Sequence, residues 1–405
     1  MSVLVTDGNQ RAALAVTRAL GRAGIPVTVG EAAPASLAGS SRFCAGVIGY
    51  PSPAQEPEEF QAFLHNETSA GKYRLVLPIT DITMQLVSSA QPCLSPRVCL
   101  PFPDEQRVLL ARDKRYVHLL ARRVGIPIPT TLMMSEEESL EDVARRIRYP
   151  AVIKPRFSRF LRNGSWTSGS VQYAENPEDL KAKYASAHTR IPFPLVQEKV
   201  EGEGRGVFLC LWQGQLKAAF CHRRLREKPP WGGVSVYCES VALDHSLVQK
   251  SCELLQAIGW NGVAMVEFKL DRQDGQAKLM EINGRFWGSL QLAIDAGVNF
   301  PLLLYRLACG EDVAAQFSYR VGVKSRWLLG DLDSLVIALR AQGKAAQLAR
   351  GSRSRLQLVQ DFLRFFERDL HYDVWDSEDL RPAWFEWKAY GRDVWRSFVQ
   401  RLRRS

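Results

Sequence analysis

The chain has 405 residues, a formal net charge of +10 at pH 7 and 46% hydrophobic residues, which is enough for two or three domains. It contains no apolar run of about 18 residues, the length that suggests a transmembrane helix, and no signal-peptide pattern at its start. The eight cysteines form no CxxC pair, which is typical of reduced thiols in a cytoplasmic protein. No nucleic-acid-binding motif accompanies the basic charge, so we expect a solvated basic surface and no nucleic acid partner.

Strands and helices alternate at the start of the chain. The pattern predicts a strand over residues 3–5, a helix over 10–23 that stops at Gly24, and a strand over 26–30. We expect two more strands at 75–78 and 98–100. This spacing indicates a parallel sheet, and therefore a small α/β domain over residues 1–105. Ligands bind outside the carboxyl ends of parallel strands, so residues 78–81, ending in Asp81, are a candidate ligand-binding segment.

The next segment combines helices with a basic, glycine-containing stretch. A helix is predicted to open at Asp113 and to stop at Gly125, and a second is predicted over residues 135–148. A strand over 150–155 carries Lys154. Residues 156–170 are small, polar and basic, which predicts a mobile loop able to hold a phosphate through backbone N–H groups and arginine. A plain flexible loop is the alternative.

Antiparallel strands are predicted to dominate residues 195–285. We expect a strand at 195–200, a turn at 201–204 and a hairpin formed by 207–212 and 216–220. The basic stretch 221–235 is predicted to face the cleft. There, Arg223, Arg224 or Arg226 would bind a substrate carboxylate. The alternative is a solvated basic loop.

Two acidic strands predict a cation site. In residues 280–283, period-2 alternation places Glu281 and Asn283 on one face, and Arg285 follows a bend at Gly284. Residues 271–276 form a hairpin turn by composition, so antiparallel pairing would bring Glu267 beside Glu281. Two neighbouring carboxylates repel each other unless a cation compensates them. The alternative is that these residues are ordinary polar side chains on a solvated sheet face.

Taken in order, these motifs resemble the ATP-grasp superfamily. The resemblance covers about residues 1–310, and within the superfamily it is nearest to the carbamoyl-phosphate-synthase-like branch of carboxylate–amine ligases. The motifs that carry it are Asp113-Lys114, residues 152–155, residues 197–204, Glu267 and residues 281–285.

The resemblance implies a fold of α/β and α+β class with four parts. These are a parallel pre-ATP-grasp α/β domain (1–105), the small lobe of a two-lobed ATP-grasp fold (106–194), a large lobe with antiparallel sheet and metal site (195–310), and a mostly helical C-terminal extension (311–405). It also implies a cytoplasmic enzyme with small-molecule carboxylate and amine substrates, and it leaves a homodimer open. In such an enzyme, residues 78–81 are the candidate segment for amine recognition.

The resemblance also implies roles for residues at matching positions. The ATP phosphates would contact Lys114 and Lys154, and Arg285 would neutralise the transferred phosphoryl group. The hinge strand would hold adenine and Glu203 the ribose, while oxygen ligands would hold Mg²⁺ or Mn²⁺. The hinge residues are Gln197, Glu198, Lys199 and Val200, and the metal ligands are Glu267, Glu281 and Asn283.

The implied reaction forms an amide through an acylphosphate and releases ADP and phosphate. Carbamoyl-phosphate-like chemistry on bicarbonate and a non-catalytic ATP-binding regulator are the alternatives. The sequence departs from the family pattern in two places. Residues 156–170 are more basic and less glycine-rich, and Gly284 stands where proline is common.

The C-terminal segment carries aromatic and basic residues near helical spacing. The apolar members are Trp384, Trp387, Val394, Trp395, Phe398 and Leu402, and basic residues lie between them. The sequence favours a terminal helix docked on the protein's own core. The alternative is a helix in peripheral contact with an anionic membrane surface.

Overall fold

The computed structural model describes residues 1–134, 139–351 and 353–402. Its first part is a four-stranded parallel sheet in the order β3-β2-β1-β4, with helices packed against it. The elements are β1 Ser2–Val5, α1 Arg11–Arg22, β2 Val27–Glu31, β3 Gly46–Gly49, α2 Pro57–Ser69, β4 Tyr73–Leu77 and α3 Asp81–Ala90. The parallel α/β prediction is confirmed. The strand predicted at 98–100 is reduced to one bridge between Cys99 and Leu75, and the short β3 was not predicted.

The second part is a smaller antiparallel sheet in the order β5-β10-β6-β9, flanked by helices. Its elements are α4 Glu105–Arg112, α5 Lys114–Arg123, β5 Thr131–Leu132, α6 Leu140–Arg146, β6 Ala151–Lys154, β7 Arg159–Arg162, β8 Ser165–Ser168, β9 Gln172–Ala174, α7 Pro177–Arg190 and β10 Leu195–Glu198. The Asp113 side chain accepts hydrogen bonds from the first turn of α5, as expected of an N-cap. Residues 135–138 of the helix predicted over 135–148 lie outside the described residues.

The loop predicted over residues 156–170 is wrong. β7 and β8 form a two-stranded hairpin, in which Asn163 and Gly164 make the turn with φ of 50° and 71°. Asn-Gly is the preferred pair for a turn with two positive φ values, and this local signal outweighs the polar composition. The indole N–H of Trp166 donates to the carbonyl of Pro53 at 3.0 Å, which holds the hairpin against the first domain.

The third part is built on a long antiparallel sheet. Its elements are β11 Gly202–Trp212, β12 Gln215–Lys228, β13 Val234–Val241, α8 His245–Ile258, β14 Gly262–Asp271, β15 Ala277–Asn283, α9 Leu290–Ala296 and α10 Phe300–Ala308. The turn predicted at 201–204 is wrong, because β11 already begins at Gly202 and pairs there with Asp271. A Cβ on Gly202 would lie 1.8 Å from the carbonyl oxygen of Leu270, so close strand contact explains this glycine.

The last part of the chain combines helices with two short strands. Its elements are β16 Lys324–Arg326, α11 Leu328–Arg340, α12 Gly343–Arg350, α13 Arg355–Phe362, β17 Leu370–Tyr372 and α14 Arg381–Leu402. The two strands extend the large sheet to the order β15-β14-β11-β12-β13-β16-β17. The mostly helical extension is therefore continuous with the large sheet through its strands. Among the described helices, none is long and apolar enough to cross a membrane.

Helix α14 docks on the core with one side only. Ala383 is buried and Phe385 packs against the main core cluster. Trp384, Trp387 and Trp395 are 61%, 43% and 66% exposed. The side chains of Phe398 and Leu402, which belong to the predicted aromatic pattern, lie outside the described residues. The helix is thus docked, as the sequence favours, yet it leaves three indoles in solvent.

Candidate active site

One cavity of about 1100 Å³ receives side chains from all four parts of the chain. It includes most of the predicted site residues and several that were not predicted. From the first to the last part, its charged and polar lining includes Asp81, Lys154, Gln197, Glu198, Lys199, Arg224, Glu227, Glu267, Glu281, Asn283, Arg285 and Glu386. This volume is in the range of a ligand pocket for a nucleotide and a small second substrate.

The acidic pair lies on neighbouring strands. Glu267 on β14 is directly opposite Glu281 on β15, and the Asn283 amide donates to Glu281 at 3.3 Å. Burial and the neighbouring Glu281 charge raise the pKa of Glu267, while Arg224 lowers it. Burial would also raise the pKa of Glu281, but Lys114 and Lys154 hold it below its usual value. The pKa of Glu267 is therefore raised and that of Glu281 lowered, as expected for two carboxylates that lie close together.

The donor set fits a hard divalent cation. Two carboxylates and one amide oxygen suit Mg²⁺, which prefers oxygen ligands and keeps several waters. No three acidic, histidine or cysteine side chains converge in the described part of the chain, so the third protein ligand would have to be the amide of Asn283. Arg224 and Lys114 now supply the charge that a cation would supply. A metal ion held by these ligands would replace the positive charge that Arg224 now gives to Glu267 and Lys114 gives to Glu281.

Two lysines, Lys114 and Lys154, lie near the acidic pair. The ammonium group of Lys114 lies 3.3 Å from Glu281 and donates to the Ser158 hydroxyl at 2.9 Å. Lys114 is buried and is not part of the cavity lining, whereas Lys154 lines the cavity. Burial lowers the pKa of Lys154 to about 8, with Lys114 adding to the effect and Glu281 opposing it.

The basic stretch at 221–235 lies mostly in strand β12 and lines the cavity in part, which argues against the alternative of a solvated basic loop. Arg224 reaches Glu267 at 2.6 Å and Glu227 at 2.9 Å inside the cavity. Arg223 instead pairs with Glu239, and Arg226 with Asp331. A register shift between Arg224 and Arg226 marks a bulge, which sends their side chains to different partners.

Arg285 and the predicted amine-recognition segment meet in the structure. The guanidinium of Arg285 donates to the Asp81 carboxylate at 2.9 Å and contacts the Asn283 oxygen at 3.3 Å. Burial would raise the pKa of Asp81, but Arg285 and Arg112 lower it to about 2. A Cβ on Gly284 would lie 2.2 Å from the Trp260 ring, so close packing against this indole explains the glycine.

The four predicted hinge residues all reach the cavity, whereas Glu203, predicted to hold the ribose, does not. Gln197, Glu198, Lys199 and Val200 all line the cavity. Glu198 accepts from the Thr130 amide at 2.9 Å and from Lys278 at 3.2 Å. Glu203 does not reach the cavity; its carboxylate accepts from Arg205 at 3.0 Å and lies 3.7 Å from Arg223. The ribose role implied for Glu203 therefore finds no support in this geometry.

The cavity residues that the sequence analysis missed include Arg11, Glu227, Trp327 and Glu386. Glu227 could have been found if residues 221–228 had been treated as a strand, since it lies three positions after Arg224. The other three come from the two ends of the chain, and no local motif marks them. They reach the cavity through tertiary packing alone.

The structure and the sequence are similar to proteins of one superfamily. The family model described as ATP-grasp in the biosynthetic pathway with Ter operon matches residues 191–329. The N-terminal section of the carbamoyl phosphate synthase large chain of Methanopyrus kandleri is 23% identical over 208 residues, which are 49% of this chain and 35% of that protein. The chain thus spans about a third of the length of this curated relative.

Solved structures share the fold at low identity. L-amino acid ligase from Bacillus licheniformis superposes with a TM-score of 0.60 at 16% identity, over 77% of this chain and 75% of that chain. Biotin carboxylase from Campylobacter jejuni, a complex with β,γ-ATP, gives 0.64 at 16% identity over 80% and 74%. The biotin carboxylase domain of Hydrogenobacter thermophilus 2-oxoglutarate carboxylase, solved with MgADP and bicarbonate, gives 0.63 at 14% identity over 80% and 73%.

The family-model match covers residues 191–329, and the fold is shared with solved ATP-grasp ligases. Both findings agree with the resemblance to the ATP-grasp superfamily that the motifs carry.

Proposed function

We propose that this chain is an ATP-dependent ligase that joins a carboxylate to an amine and releases ADP and phosphate. One observation carries the proposal: the acidic pair Glu267–Glu281 shares a cavity with the cations Lys154, Arg224 and Arg285. Phosphoryl transfer depends mainly on positioning and on neutralising the transferred group, and this set of side chains can do both. The structural neighbours solved with β,γ-ATP and MgADP support a nucleotide at this site.

The proposed reaction has two steps. A carboxylate oxygen of the substrate attacks the γ-phosphorus of ATP, the bond to the β-phosphate oxygen breaks, and ADP leaves. An amine nitrogen then attacks the acyl carbon, phosphate leaves with the electrons of the C–O bond, and the amine loses a proton. Lys154 would hold the phosphates, and Arg285 would stabilise the charge on the transferred group.

The acidic pair would hold the metal ion that accompanies ATP. Glu267, Glu281 and Asn283 are the ligands we propose for Mg²⁺ or Mn²⁺, which supplies charge neutralisation at the phosphates when bound. Arg224 is now paired to Glu267 at 2.6 Å. Once a cation takes that carboxylate, Arg224 keeps Glu227 as a partner through Nη1, and its Nη2 becomes available to the substrate carboxylate. This exchange favours binding of Mg-ATP before the carboxylate.

The test is product analysis with Mg-ATP, pools of small carboxylates, and amines supplied or withheld. We expect ADP release that needs both substrates and falls at least about a hundredfold in Glu281→Gln, because a metal ligand is lost. Glu253→Gln, an exposed change on α8, is the matched control and should leave the rate unchanged. AMP and pyrophosphate as products would overturn the acylphosphate route. ADP release with bicarbonate alone would favour carbamoyl-phosphate-like chemistry, and ATP binding without turnover would favour a regulator.

We also propose that α14 makes peripheral contact with an anionic membrane surface. Val394 is 52% exposed, and its helical position continues the stripe of Trp384, Trp387 and Trp395. The exposed cations Lys388, Arg392 and Arg396 follow along one side of this stripe. Indoles beside cations are characteristic of helices that lie in the interface of an anionic bilayer.

Vesicle sedimentation tests this contact. We expect the full chain to pellet with vesicles of a phosphatidylcholine–phosphatidylserine mixture and to stay in solution with phosphatidylcholine alone. A variant carrying Trp384→Ser and Trp387→Ser should lose most of the binding while keeping its unfolding temperature. Equal binding by this variant and the unsubstituted chain would contradict the proposal.

A further inference from the structure

The C-terminal extension closes one side of the cavity. Trp327, at the end of β16, and Phe385, Glu386 and Ala389 on α14 all belong to the cavity lining. The family-model match ends at residue 329, so the part of α14 that faces the cavity lies outside it. A wall supplied by this extension is suited to determine which substrate the cavity accepts.

Among the described side chains, Glu386 lacks the ion-pair partner that three other glutamates near the proposed metal ligands have. Glu267 and Glu227 are paired with Arg224, and Glu281 is paired with Lys114. Glu386 accepts one hydrogen bond from the indole N–H of Trp327 at 2.7 Å. In the described part of the chain, no lysine or arginine forms an ion pair with this carboxylate.

Two cationic side chains lie near the Trp327 ring, and each of them forms an ion pair with an aspartate. The Arg11 guanidinium lies 4.2 Å from the centre of the Trp327 ring, pairs with Asp373 and donates to the Ser235 carbonyl. The Lys228 ammonium, 5.2 Å from the same ring, pairs with Asp333. Glu386 therefore has no ion-pair partner among the described residues, although it is half-buried and lines the cavity. Burial raises the pKa of its carboxyl, while the Trp327 hydrogen bond and the charge of Arg11, which is not in ion-pair contact, lower it.

This subsite is connected to the reacting end of the cavity. A Cβ on Gly288 would lie 3.1 Å from the Arg11 guanidinium, so Arg11 touches the segment that follows Arg285. Gly288 and Phe286 line the cavity together with Trp327. Glu386 and Arg285 therefore line the same cavity, so different groups of one bound substrate can face the two residues.

We propose that Glu386 binds a protonated amine of the substrate, and that the adjoining wall of Trp327, Phe385 and Ala389 accepts an apolar or aromatic group beside that amine. The inference rests on the proposed function for its reaction and adds a substrate class to it. A carboxylate with one oxygen held by an indole N–H has acceptor sites left for an ammonium group. A charge-assisted hydrogen bond in a half-buried site is stronger than one in water.

The test uses two probes of nearly the same shape, 2-phenylethylammonium and 2-phenylethanol. Binding to the full-length chain is measured by titration calorimetry at a mildly alkaline pH, at which the amine is protonated and the carboxylate ionised. We expect the amine to bind about tenfold more tightly than the alcohol, since a hydrogen bond to a charged group contributes about that factor. In Glu386→Gln the amine should lose about tenfold in affinity while the alcohol is unchanged.

Control variants separate binding from folding. Glu386→Asp keeps the charge and should retain part of the preference for the amine. Asp393→Asn removes an exposed charge from the same helix and should leave both affinities unchanged. Equal affinity for the two probes, no detectable binding of the amine, or an unaffected Glu386→Gln variant would each overturn the proposal.

ATP binding is titrated separately with the same proteins. Loss of ATP binding with an intact amine preference would refute the proposed ligase and leave this subsite standing. The reverse pattern would refute only the subsite.

Discussion

Lys154 combines a place in the cavity lining with a lowered pKa. It lines the cavity, and burial lowers its pKa to about 8, while Lys114 nearby disfavours a second positive charge. At neutral pH the ammonium form still predominates, so the side chain can attract phosphates. Above this pKa, most Lys154 side chains are neutral in the free protein. Lys154 must then take up a proton before its positive charge can attract the ATP phosphates.

ATP affinity should therefore fall as pH rises through about 8. The loss can approach tenfold per pH unit above that value, because one proton is taken up on binding. Lys154→Arg keeps its charge throughout this range, so its ATP affinity should be flat with pH. Calorimetric titration with Mg-ATP from neutral to alkaline pH measures both proteins. The same pH dependence in the variant would assign the titration to another group.

Single residues of the site were predictable where strand alternation and a hairpin turn fixed them. Glu281 and Asn283 share a face because side chains alternate, and Glu267 lies opposite Glu281 because the turn sets the register. The partners of Arg224 and Arg226 were not predictable, because an extra residue in β12 changes the alternation. Local periodicity says nothing about a bulge that depends on the neighbouring strand.

At the scale of elements, the β7–β8 hairpin bears on phosphate binding. Arg159 at its first position lines the cavity, and Lys114 contacts Ser158 just before it. Outside its own two strands, the hairpin is held in part by the bond from Trp166 to Pro53. The Asn163-Gly164 pair in the sequence predicts a hairpin turn, so this hairpin could have been predicted. The polar composition of the whole segment instead favoured a loop.

Gly164→Ala should loosen this hairpin without unfolding the protein. A Cβ at a φ of 71° costs on the order of 1 kcal/mol, which corresponds to about fivefold more frequent local opening. Hydrogen exchange of the β7 and β8 amides measures that opening, and the global unfolding temperature should hardly move. Asn163→Gly is the matched control, because glycine retains the turn. Unchanged exchange in Gly164→Ala would show that the turn does not limit the hairpin.

At the scale of the whole molecule, the first helix is bound to the last part of the chain. Arg18 on α1 is 1% exposed and donates to the Asp379 carboxylate at 2.9 Å and to the Val374 carbonyl at 2.9 Å. Asp379 also accepts from Ser41 and from the Arg42 amide. The fold class followed from the sequence, but this contact did not, because its partners lie 361 residues apart.

Asp379→Ala should destabilise the protein by about 3–5 kcal/mol, because it leaves the buried charge of Arg18 without a counter-charge. Glu378→Ala, one position earlier, removes a 67% exposed partner of Arg22 and should cost less than about 1 kcal/mol. Urea denaturation of both variants measures the difference in unfolding free energy. Similar values for the two would mean that water or another group compensates Arg18.

The Arg18–Asp379 pair also sets an order of events during synthesis. A ribosome adds about 5–20 residues per second, so the 361 residues between the two partners take roughly 20–70 s to make. Throughout that time α1 is outside the ribosome with a positively charged side that will later be buried. The N-terminal sheet can form early, but the ion pair that covers α1 forms only when Asp379 has been synthesised. Nascent chains of this protein should therefore be clients of chaperones at least until Asp379 has left the ribosome.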